Sequence, residues 1–552
     1  MSTEFRLTPD LRDRAFRWIA DDVDTASRGE LQAVLADALA GVPAATAELA
    51  DRMGAPLEFG TAGLRGPVRA GRHGMNTAVV VRTTAGVASW LSAHGRGGGI
   101  VVVGRDARHG SEAFATATAE VLQAAGFEAH VLPRPLPTPL LAFAVGRLGA
   151  VAGIQITASH NPPGDNGYKV YDDSGAQIVP PSDREIEAAI AAAPGAVRIP
   201  RAPGAIVVGD DLVDEYLAKV AELPRGTARA LRVAATALHG VGGATLTQAL
   251  ERAGFTDVHL VAAQSTPDPD FPTVSFPNPE EPGATDLLLT LASEVDADLA
   301  VALDPDADRC ALGVRDRDGT WRMLRGDETG ALLGEYVLST TDSTDPLVAT
   351  TIVSSSMLAN IAAAHGVRYA ETLTGFKWLV RAGDGLIYAY EEALGLCANP
   401  DFVRDKDGIA AAVLACDLAA STRAEERSLL DLLDELDIAH GIHRTDQLSL
   451  RVSDLAERGR LLAAVRSAPP ARLAGVPVTM EDLLPRTDAL RLQGAGVRVV
   501  IRPSGTEPKL KAYLQVTEQV STEGGGALSA VRATAERRMS ALRDAVNAIL
   551  HG

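Results

Sequence analysis

The sequence predicts an α/β protein: three similar mixed-sheet α/β domains, then a distinct α+β domain at the C-terminal end. Three observations lead there. Apolar runs of strand length alternate with helical patterns over most of the chain before residue 441. Three of those runs end in charged tips, Val101-Val102-Val103-Gly104-Arg105-Asp106-Ala107-Arg108, Val301-Ala302-Leu303-Asp304-Pro305-Asp306-Ala307-Asp308-Arg309 and Ile387-Tyr388-Ala389-Tyr390-Glu391-Glu392, as though one unit were used three times. From about residue 442 the pattern changes to two alternating strands, a strand Val497 to Ile501 and a long helix from about Ala527 to Leu550. A chain of 552 residues is too long for one core. The expected domains are 1–200, 201–320, 321–441 and 442–552.

Taken in order, residues 1–55 read as helical and alanine-rich, with no identifiable chemistry. Leu57 to Gly66 is a glycine-punctuated loop carrying one arginine, Arg65. A helix from Thr77 to Ala93 leads to the strand Ile100 to Val103, and Ser111 is the expected N-cap of the next helix. The apolar run Ala150 to Ile156 reads as a buried strand, Tyr168 to Val179 alternates like a short hairpin, and Ser182 to Ala193 is helical. Pro194 to Gly209, with its prolines and glycines, reads as a linker. Strands Leu231–Ala237, Val258–Ala262 and Leu299–Leu303 then alternate with helices near Ala244–Ala253 and Asp286–Val295. A third unit begins near Trp321, with a helix Asp327–Leu338 and strands Leu347–Val353, Tyr369–Leu373 and Leu386–Tyr390.

Composition narrows the function. There are 52 basic and 71 acidic residues, a formal net charge of 52 − 71 = −19, which argues against nucleic acid or an anionic membrane as partner. No 18-residue apolar run suggests a membrane span, and the charged N-terminal stretch lacks the apolar core of a secretory signal. Three cysteines, Cys310, Cys397 and Cys416, are odd in number and have no C-x-x-C spacing, so neither a disulfide framework nor a zinc site is implied. A reducing cytoplasm is the expected location.

The chemistry gathers around Thr157-Ala158-Ser159-His160-Asn161-Pro162-Pro163-Gly164-Asp165-Asn166-Gly167-Tyr168-Lys169. The preceding strand puts Ser159 at a C-terminal strand tip, where open α/β sheets present chemistry. His160, Asn161 and Lys169 can all donate hydrogen bonds or protons. A Ser/Asn/Pro turn that merely ends a strand is the competing reading of a short S-H-N-P. The longer string resembles the active-site loop of the α-D-phosphohexomutases, the phosphoglucomutases, phosphomannomutases and their relatives. The resemblance implies that Ser159 is carried as a phosphoserine. It also implies three similar α/β domains and a fourth, distinct one around a central cleft.

Asp304-Pro305-Asp306-Ala307-Asp308-Arg309 sets three carboxylates at alternate positions after a strand. If the chain curls there, all three can meet one hard cation such as Mg²⁺. A solvated acidic turn is the rival reading; an EF-hand fails because Arg309 and Arg315 stand where Gly and Glu are needed. The string is similar to the metal loop of the same family, in which the aspartates and the serine's phosphate share Mg²⁺. That implies Ser159, Asp304, Asp306 and Asp308 as metal ligands and Arg309 as a substrate contact. Arg502-Pro503-Ser504-Gly505-Thr506-Glu507-Pro508-Lys509 offers a guanidinium, two hydroxyls and freed backbone N–H groups, and resembles the family's phosphate-binding loop. On that likeness Arg502, Ser504, Gly505, Thr506 and Lys509 bind substrate phosphate.

Glu391-Glu392-Ala393-Leu394-Gly395 occupies the place of the family's sugar-binding loop, commonly G-E-x-S-G, with Glu392 as the sugar ligand. Leu394 replaces the serine, and Leu396 stands where many members have histidine. Leu373-Thr374-Gly375-Phe376-Lys377-Trp378 and Arg404-Asp405-Lys406-Asp407-Gly408 resemble the phosphoglucomutase and phosphopentomutase branch, and make Lys377 and Lys406 phosphate or sugar contacts. If Leu394 faced the sugar, a hydroxyl there would be unpaired, which would favour a pentose.

The resemblance implies a phosphosugar mutase. Ser159 would pass its phosphate to a sugar monophosphate and recover the other phosphate from a bisphosphate of the glucose 1,6-bisphosphate type. Lys169 and Arg65 would give acid/base help and charge stabilisation, with His160 flanking the nucleophile. The expected reaction joins sugar 1-phosphate and sugar 6-phosphate, glucose or mannose, with ribose or deoxyribose phosphates as the alternative. A Mg²⁺-dependent sugar phosphatase and a silent sugar-phosphate binder are the rivals from other classes. The expected partner is a small sugar phosphate, and the expected assembly a monomer or homodimer.

Overall fold

The computed structural model describes residues 7–60, 62–451, 455–503, 509–520 and 528–551. The chain forms two compact units. Unit 1 holds residues 1–224, 230–313 and 399–413, and unit 2 holds residues 225–229, 314–398 and 414–552.

Unit 1 opens with the helices Pro9–Asp21, Thr25–Leu39 and Pro43–Arg52, which bury Leu11, Ala15, Leu31, Leu35 and Leu49 in a small core of their own. Thr8 and Asp24 cap the first two by accepting backbone N–H groups. The first sheet contains β1 (Leu64–Pro67), β2 (Ile100–Arg105), β3 (Glu128–Val131), β4 (Ala152–Ile156), β5 (Asp165–Asp172) and β6 (Ile206–Val207), in the order β1-β5-β4-β2-β3-β6. Val101, Val103, Ile154 and Ile156 pack against Val80, Val87 and Leu91 of the helix Thr77–Ala93 and Phe114 and Leu122 of the helix Ser111–Ala124. The strands β7 (Arg232–Thr236), β8 (Asp257–Leu260), β9 (Leu299–Leu303) and β10 (Cys310–Arg315) belong to the five-stranded second sheet, β10 being the strand in which the chain passes to unit 2.

In unit 2 the short β11 (Trp321–Met323) precedes a third sheet of β12 (Leu347–Thr351), β13 (Arg368–Thr372), β14 (Leu386–Glu391) and β15 (Gly395–Cys397), ordered β13-β12-β14-β15. The fourth sheet is antiparallel throughout: β16 (Ile442–Arg451), β17 (Arg472–Leu473), β18 (Val476–Asp482), β19 (Leu490–Gly494), β20 (Val497–Pro503) and β21 (Lys509–Glu518). The helix Leu528–His551 covers it with Ala535, Met539, Leu542, Val546 and Leu550, spaced three and four apart so that one face is apolar. Cys310, Cys397 and Cys416 are buried and form no disulfide.

The first three sheets repeat one pattern. In each, a first strand (β2, β7, β12) is flanked by two parallel neighbours, and the second of those (β4, β9, β14) pairs with an antiparallel strand (β5, β10, β15). The repetition seen in the sequence is real, but its correspondence is different. Asp304–Arg309 and Glu392–Leu394 follow the third strand of their sheets, whereas Asp106–Arg108 follows the first of its own. The true counterpart in the first sheet is the loop from Thr157 to Gly164. Apolar runs ending in charge look alike wherever they lie in a sheet; only pairing distinguishes them.

Three local expectations need correction. Pro194–Gly209 is no linker: β6 lies within it and adds a parallel edge to β3. The N-cap of the helix after β2 is Gly110 at φ 81°, and Ser111 instead donates to Asp106 Oδ1 at 2.5 Å. The expected hairpin from Tyr168 is a longer strand that begins at Asp165, and the return is only a bridge between Tyr171 and Gln177.

Leu542 is fully buried between the last helix and the fourth sheet. Leu542→Ala should therefore destabilise unit 2 by about 2–5 kcal/mol. The same change at half-exposed Ile438 should stay within about 0.5 kcal/mol. Denaturant unfolding of the two variants checks both.

Candidate active site

Strand β4 is buried along its length and delivers the chain to Thr157. The next turn holds Ser159 at φ 53°, in the left-handed region. A residue with a Cβ pays about 1–2 kcal/mol there, so surrounding bonds must impose it. Thr157 Oγ1 accepts the Ser159 N–H at 2.9 Å. Ser159 is 2% exposed, and its Oγ lies 3.0 Å from Asp304 Oδ2 and 3.1 Å from His160 Nδ1. Burial, reinforced by the Arg309 and Arg65 guanidiniums, holds His160 well below its ordinary pKa, so it stands neutral beside the hydroxyl.

The second-sheet loop curls as its spacing allows. Ala307 at φ 54° donates its N–H to Asp304 O at 2.9 Å, and Arg309 donates its N–H to Asp304 Oδ1 at 3.0 Å. Asp304, Asp306 and Asp308 are thereby brought within 4.8 Å of one another, all wholly buried. Lys169 Nζ, on β5, reaches Asp306 Oδ2 at 2.7 Å and Asp308 Oδ2 at 3.3 Å. Lys406 Nζ lies 3.3 Å from Asp308 Oδ2. Burial and then the charges of Asp306 and Asp308 push Asp304 well above the usual carboxyl range. Burial also opposes ionisation of Asp306, but the Lys169 ammonium outweighs it and holds that carboxyl low. Oδ1 of Asp306 and of Asp308 are buried with no hydrogen-bond partner. An oxygen-only set with orphaned lone pairs fits a hard divalent cation and suits neither zinc nor a soft metal.

Arg65 lies on β1 and donates Nη1 to Asn161 Oδ1 at 3.1 Å. Arg309 lies 3.8 Å from Glu280 and 3.9 Å from Asp308. Unit 1 therefore gathers Ser159, His160, Arg65, Lys169, the aspartates, Arg309 and Lys406. Two members were missed in the sequence. Thr138 donates Oγ1 to Asp306 Oδ2 at 2.7 Å. Arg108, 4% exposed, donates to four carbonyls of the serine loop. Neither shows a local signal, because the acceptors lie more than 50 residues away.

Unit 2 holds the remaining predicted groups. Glu392 Oε2 accepts from Ser354 Oγ at 2.8 Å, and burial, with help from Glu391 and Asp327, pushes its carboxyl up to about 7. Lys377 is buried on the short helix Phe376–Leu379, with Nζ 5.8 Å from the Trp378 ring; Phe376 is buried and Trp378 half-buried. Arg502 sits on β20 and bonds the Tyr513 side chain, and Lys509 opens β21 opposite Arg451. Ser504, Gly505 and Thr506 lie outside the described residues. Leu394 is only 3% exposed, at φ 64°. Leu394 is thus as buried as Ser159 itself, beside the Glu392 carboxyl in the same turn.

Known proteins match along nearly the whole chain. Residues 56–195, 214–319 and 325–437 match α/β/α domains I, II and III described for phosphoglucomutase/phosphomannomutase, and residues 450–524 match the C-terminal domain of the same family. The chain belongs to the phosphoglucomutase/phosphomannomutase family. A Haemophilus influenzae protein named "Probable phosphomannomutase" is 43% identical over 452 residues, covering 80% of this chain and 93% of its own. A Schizosaccharomyces pombe protein named "Probable phosphoribomutase" is 34% identical over 565 residues, covering 92% and 94%. A crystal structure of a phosphoglucomutase/phosphomannomutase family protein from Burkholderia thailandensis shares the fold, with TM-score 0.68 and 21% identity over 89% of this chain and 97% of that one.

This phosphoglucomutase/phosphomannomutase family member is a phosphosugar mutase, an isomerase of the intramolecular phosphotransferase class. Its first three domains each present one third-strand loop: the Ser159 loop, the aspartate loop and the Glu392 loop.

Ser159→Ala should abolish turnover with folding intact, since it removes one hydroxyl. Intact mass should show a phosphate adduct in part of the wild-type population and none in the variant. Asp308→Asn should raise the divalent cation needed for half-maximal rate by at least about tenfold, because it removes charge and a ligand oxygen together. Titration of metal into chelator-treated enzyme measures this.

Proposed function

We propose that the protein interconverts a hexose 1-phosphate, of mannose or glucose, with the corresponding hexose 6-phosphate, using Ser159 as phosphoryl carrier. The observation that carries the reading is the placement of Ser159 Oγ 3.0 Å from a buried, all-carboxylate triad. Phospho-Ser159 faces a hydroxyl of the bound sugar monophosphate. The bond from phosphorus to Ser159 Oγ breaks as that from phosphorus to the sugar oxygen forms. The hydroxyl gives up a proton and Ser159 Oγ regains one, a balance that Lys169 serves. The sugar bisphosphate turns over, and its other phosphate passes to Ser159 by the same exchange in reverse.

Asp304, Asp306 and Asp308 would hold Mg²⁺, which neutralises charge on the phosphoryl oxygens. Arg65 and Arg309 add fixed positive charge beside the carrier. By the resemblance of their loops, Glu392 of unit 2 is given to sugar hydroxyls, and Arg502 and Lys509 of the same unit to phosphate. Such a mechanism needs only a small sugar phosphate as partner and a sugar bisphosphate as activator, and an acidic protein meets it by concentrating cations locally.

A pentose phosphate is the second reading. It is favoured by the phosphoribomutase-named relative, which matches over 92% of this chain. Initial rates on mannose, glucose, ribose and deoxyribose 1-phosphates, with catalytic bisphosphate supplied, decide between them. A hexose kcat/KM at least tenfold above both pentose values supports the first reading, and the reverse order establishes the second. Release of inorganic phosphate in place of isomer would show a phosphatase.

Glu392 gives a pH signature. Its carboxyl is raised to about 7, so it is protonated below that pH and a full acceptor above it. KM for the sugar phosphate should fall as pH rises from about 6 to 8. The substrate's own second ionisation near about 6 contributes as well, so the measure is the difference from Glu392→Gln, whose KM should be higher and flatter in pH.

A further inference from the structure

We propose that Arg108, braced by the ring of Phe271, is a positioning residue that holds Ser159 in the left-handed conformation required of the carrier. The inference rests on the reading of Ser159 as nucleophile and names what keeps it in place.

Arg108 Nη2 donates to Ser159 O at 2.6 Å and to Asn161 O at 2.6 Å. Nη1 donates to Pro162 O at 2.8 Å and to Asp165 O at 3.2 Å. One planar guanidinium thus gathers four carbonyls from a seven-residue stretch, the nucleophile's own among them. Only a flat, five-donor fork can do this; an ammonium has three donors in a tetrahedral spread. Nε faces Asp106 Oδ2 at 3.4 Å, and Asp106 Oδ1 accepts the Arg108 N–H and the Ser111 hydroxyl, so the base of the side chain is fixed as well. Both Nη groups are committed to backbone carbonyls, while Nε makes no hydrogen bond and meets Asp106 only as an ion pair. At 4% exposure Arg108 has little surface to offer a ligand, so it acts through the loop and not on the substrate.

The face of the guanidinium is covered by Phe271, whose ring centroid lies 4.9 Å from Arg108 Cζ. Phe271 is itself left-handed, at φ 46°, and 3% exposed. His239, at the tip of β7, packs edge-on to that ring at 6.3 Å and bonds Thr273 Oγ1 through Nε2 at 2.8 Å. A strained residue survives where its surroundings over-determine it, and here three left-handed residues, His239 at φ 59°, Phe271 and Ser159, lie along one chain of contacts. The route runs from the β7 tip through His239, Phe271 and Arg108 to the carbonyl of Ser159.

The other two repeats use the same arrangement. Val241, after β7, donates its N–H to Pro305 O of the aspartate loop at 2.9 Å. Ser354, after β12, donates to Glu392 at 2.8 Å. In each sheet the tip of the first strand holds the loop of the neighbouring third strand, and in the first sheet Arg108 performs that task.

The test compares wild type with Arg108→Lys and Phe271→Leu. Each is phosphorylated with labelled glucose 1,6-bisphosphate, and turnover is expressed per phosphorylated serine. Arg108→Lys should lower kcat per phosphoserine by at least about a hundredfold, with KM for glucose 1-phosphate and half-saturating Mg²⁺ within about twofold of wild type. Phe271→Leu keeps an apolar support without the ring face, and should show the same kcat-only loss at about five- to tenfold. A merely structural role would reduce the number of labelled sites and leave kcat per labelled site unchanged. That outcome in a folded Arg108→Lys, or in Phe271→Leu if the lysine variant fails to fold, overturns the proposal. Failure of wild type to take label at Ser159 would instead overturn the assignment of the carrier, so the two failures are distinct.

Discussion

Three carboxylates that are wholly buried and within 4.8 Å of one another cannot remain ionised without positive charge beside them. The organisation of unit 1 follows from that constraint. Cations arrive from separate parts of the chain: Lys169 from β5, Lys406 from the segment before the helix Gly408–Ala424, Arg309 from the loop itself. The segment that brings Lys406 is anchored on both sides. Asp405 accepts from Tyr171 at 3.0 Å, and Asp407 accepts from Tyr216 at 2.8 Å. Part of the compensation is still missing, since two of the carboxylate oxygens have no hydrogen bond. A divalent cation and a phosphoryl group supply opposite halves of that balance, which is why Ser159 belongs beside Asp304.

Topology explains how one loop type came to serve three tasks. A strand flanked by parallel neighbours leaves two adjacent loops at the same sheet end, and ligands gather at such ends in open α/β sheets. In all three repeats the loop after the third strand carries the chemistry and the tip of the first strand supports it. The serine, the aspartates and Glu392 are therefore three versions of one position, differentiated by side chain while the backbone frame was kept.

Legibility in the sequence followed contiguity. Ser159, His160, Lys169 and the three aspartates stand within short strings, so residue type and spacing alone expose them. The strands and helices were readable for the same reason, since periodicity is local. Arg108 was in view as a strand tip, yet its role depends on carbonyls in a loop that pairing of β2 with β4 brings alongside. Thr138 and Phe271 gave no signal at all, because their partners lie far along the chain.

Backbone strain shows where this frame was held against local preference. Ser159, Ala307 and Leu394 are all non-glycine residues at positive φ, one in each functional loop. Glycine would relax each site, so its absence needs a reason at every one. At 159 the hydroxyl is the reagent. At 307 the methyl packs where a side chain on Gly242 would otherwise sit, fixing the curl that gathers the aspartates. At 394 the buried side chain anchors the turn beside Glu392. A glycine in any of the three would lower the local strain and also free the loop to adopt other conformations on unfolding or on binding. The strained residue with a supporting neighbour is the more rigid solution. For groups that must meet a phosphoryl oxygen within a fraction of an ångström, rigidity outweighs the 1–2 kcal/mol, roughly, that each left-handed residue costs.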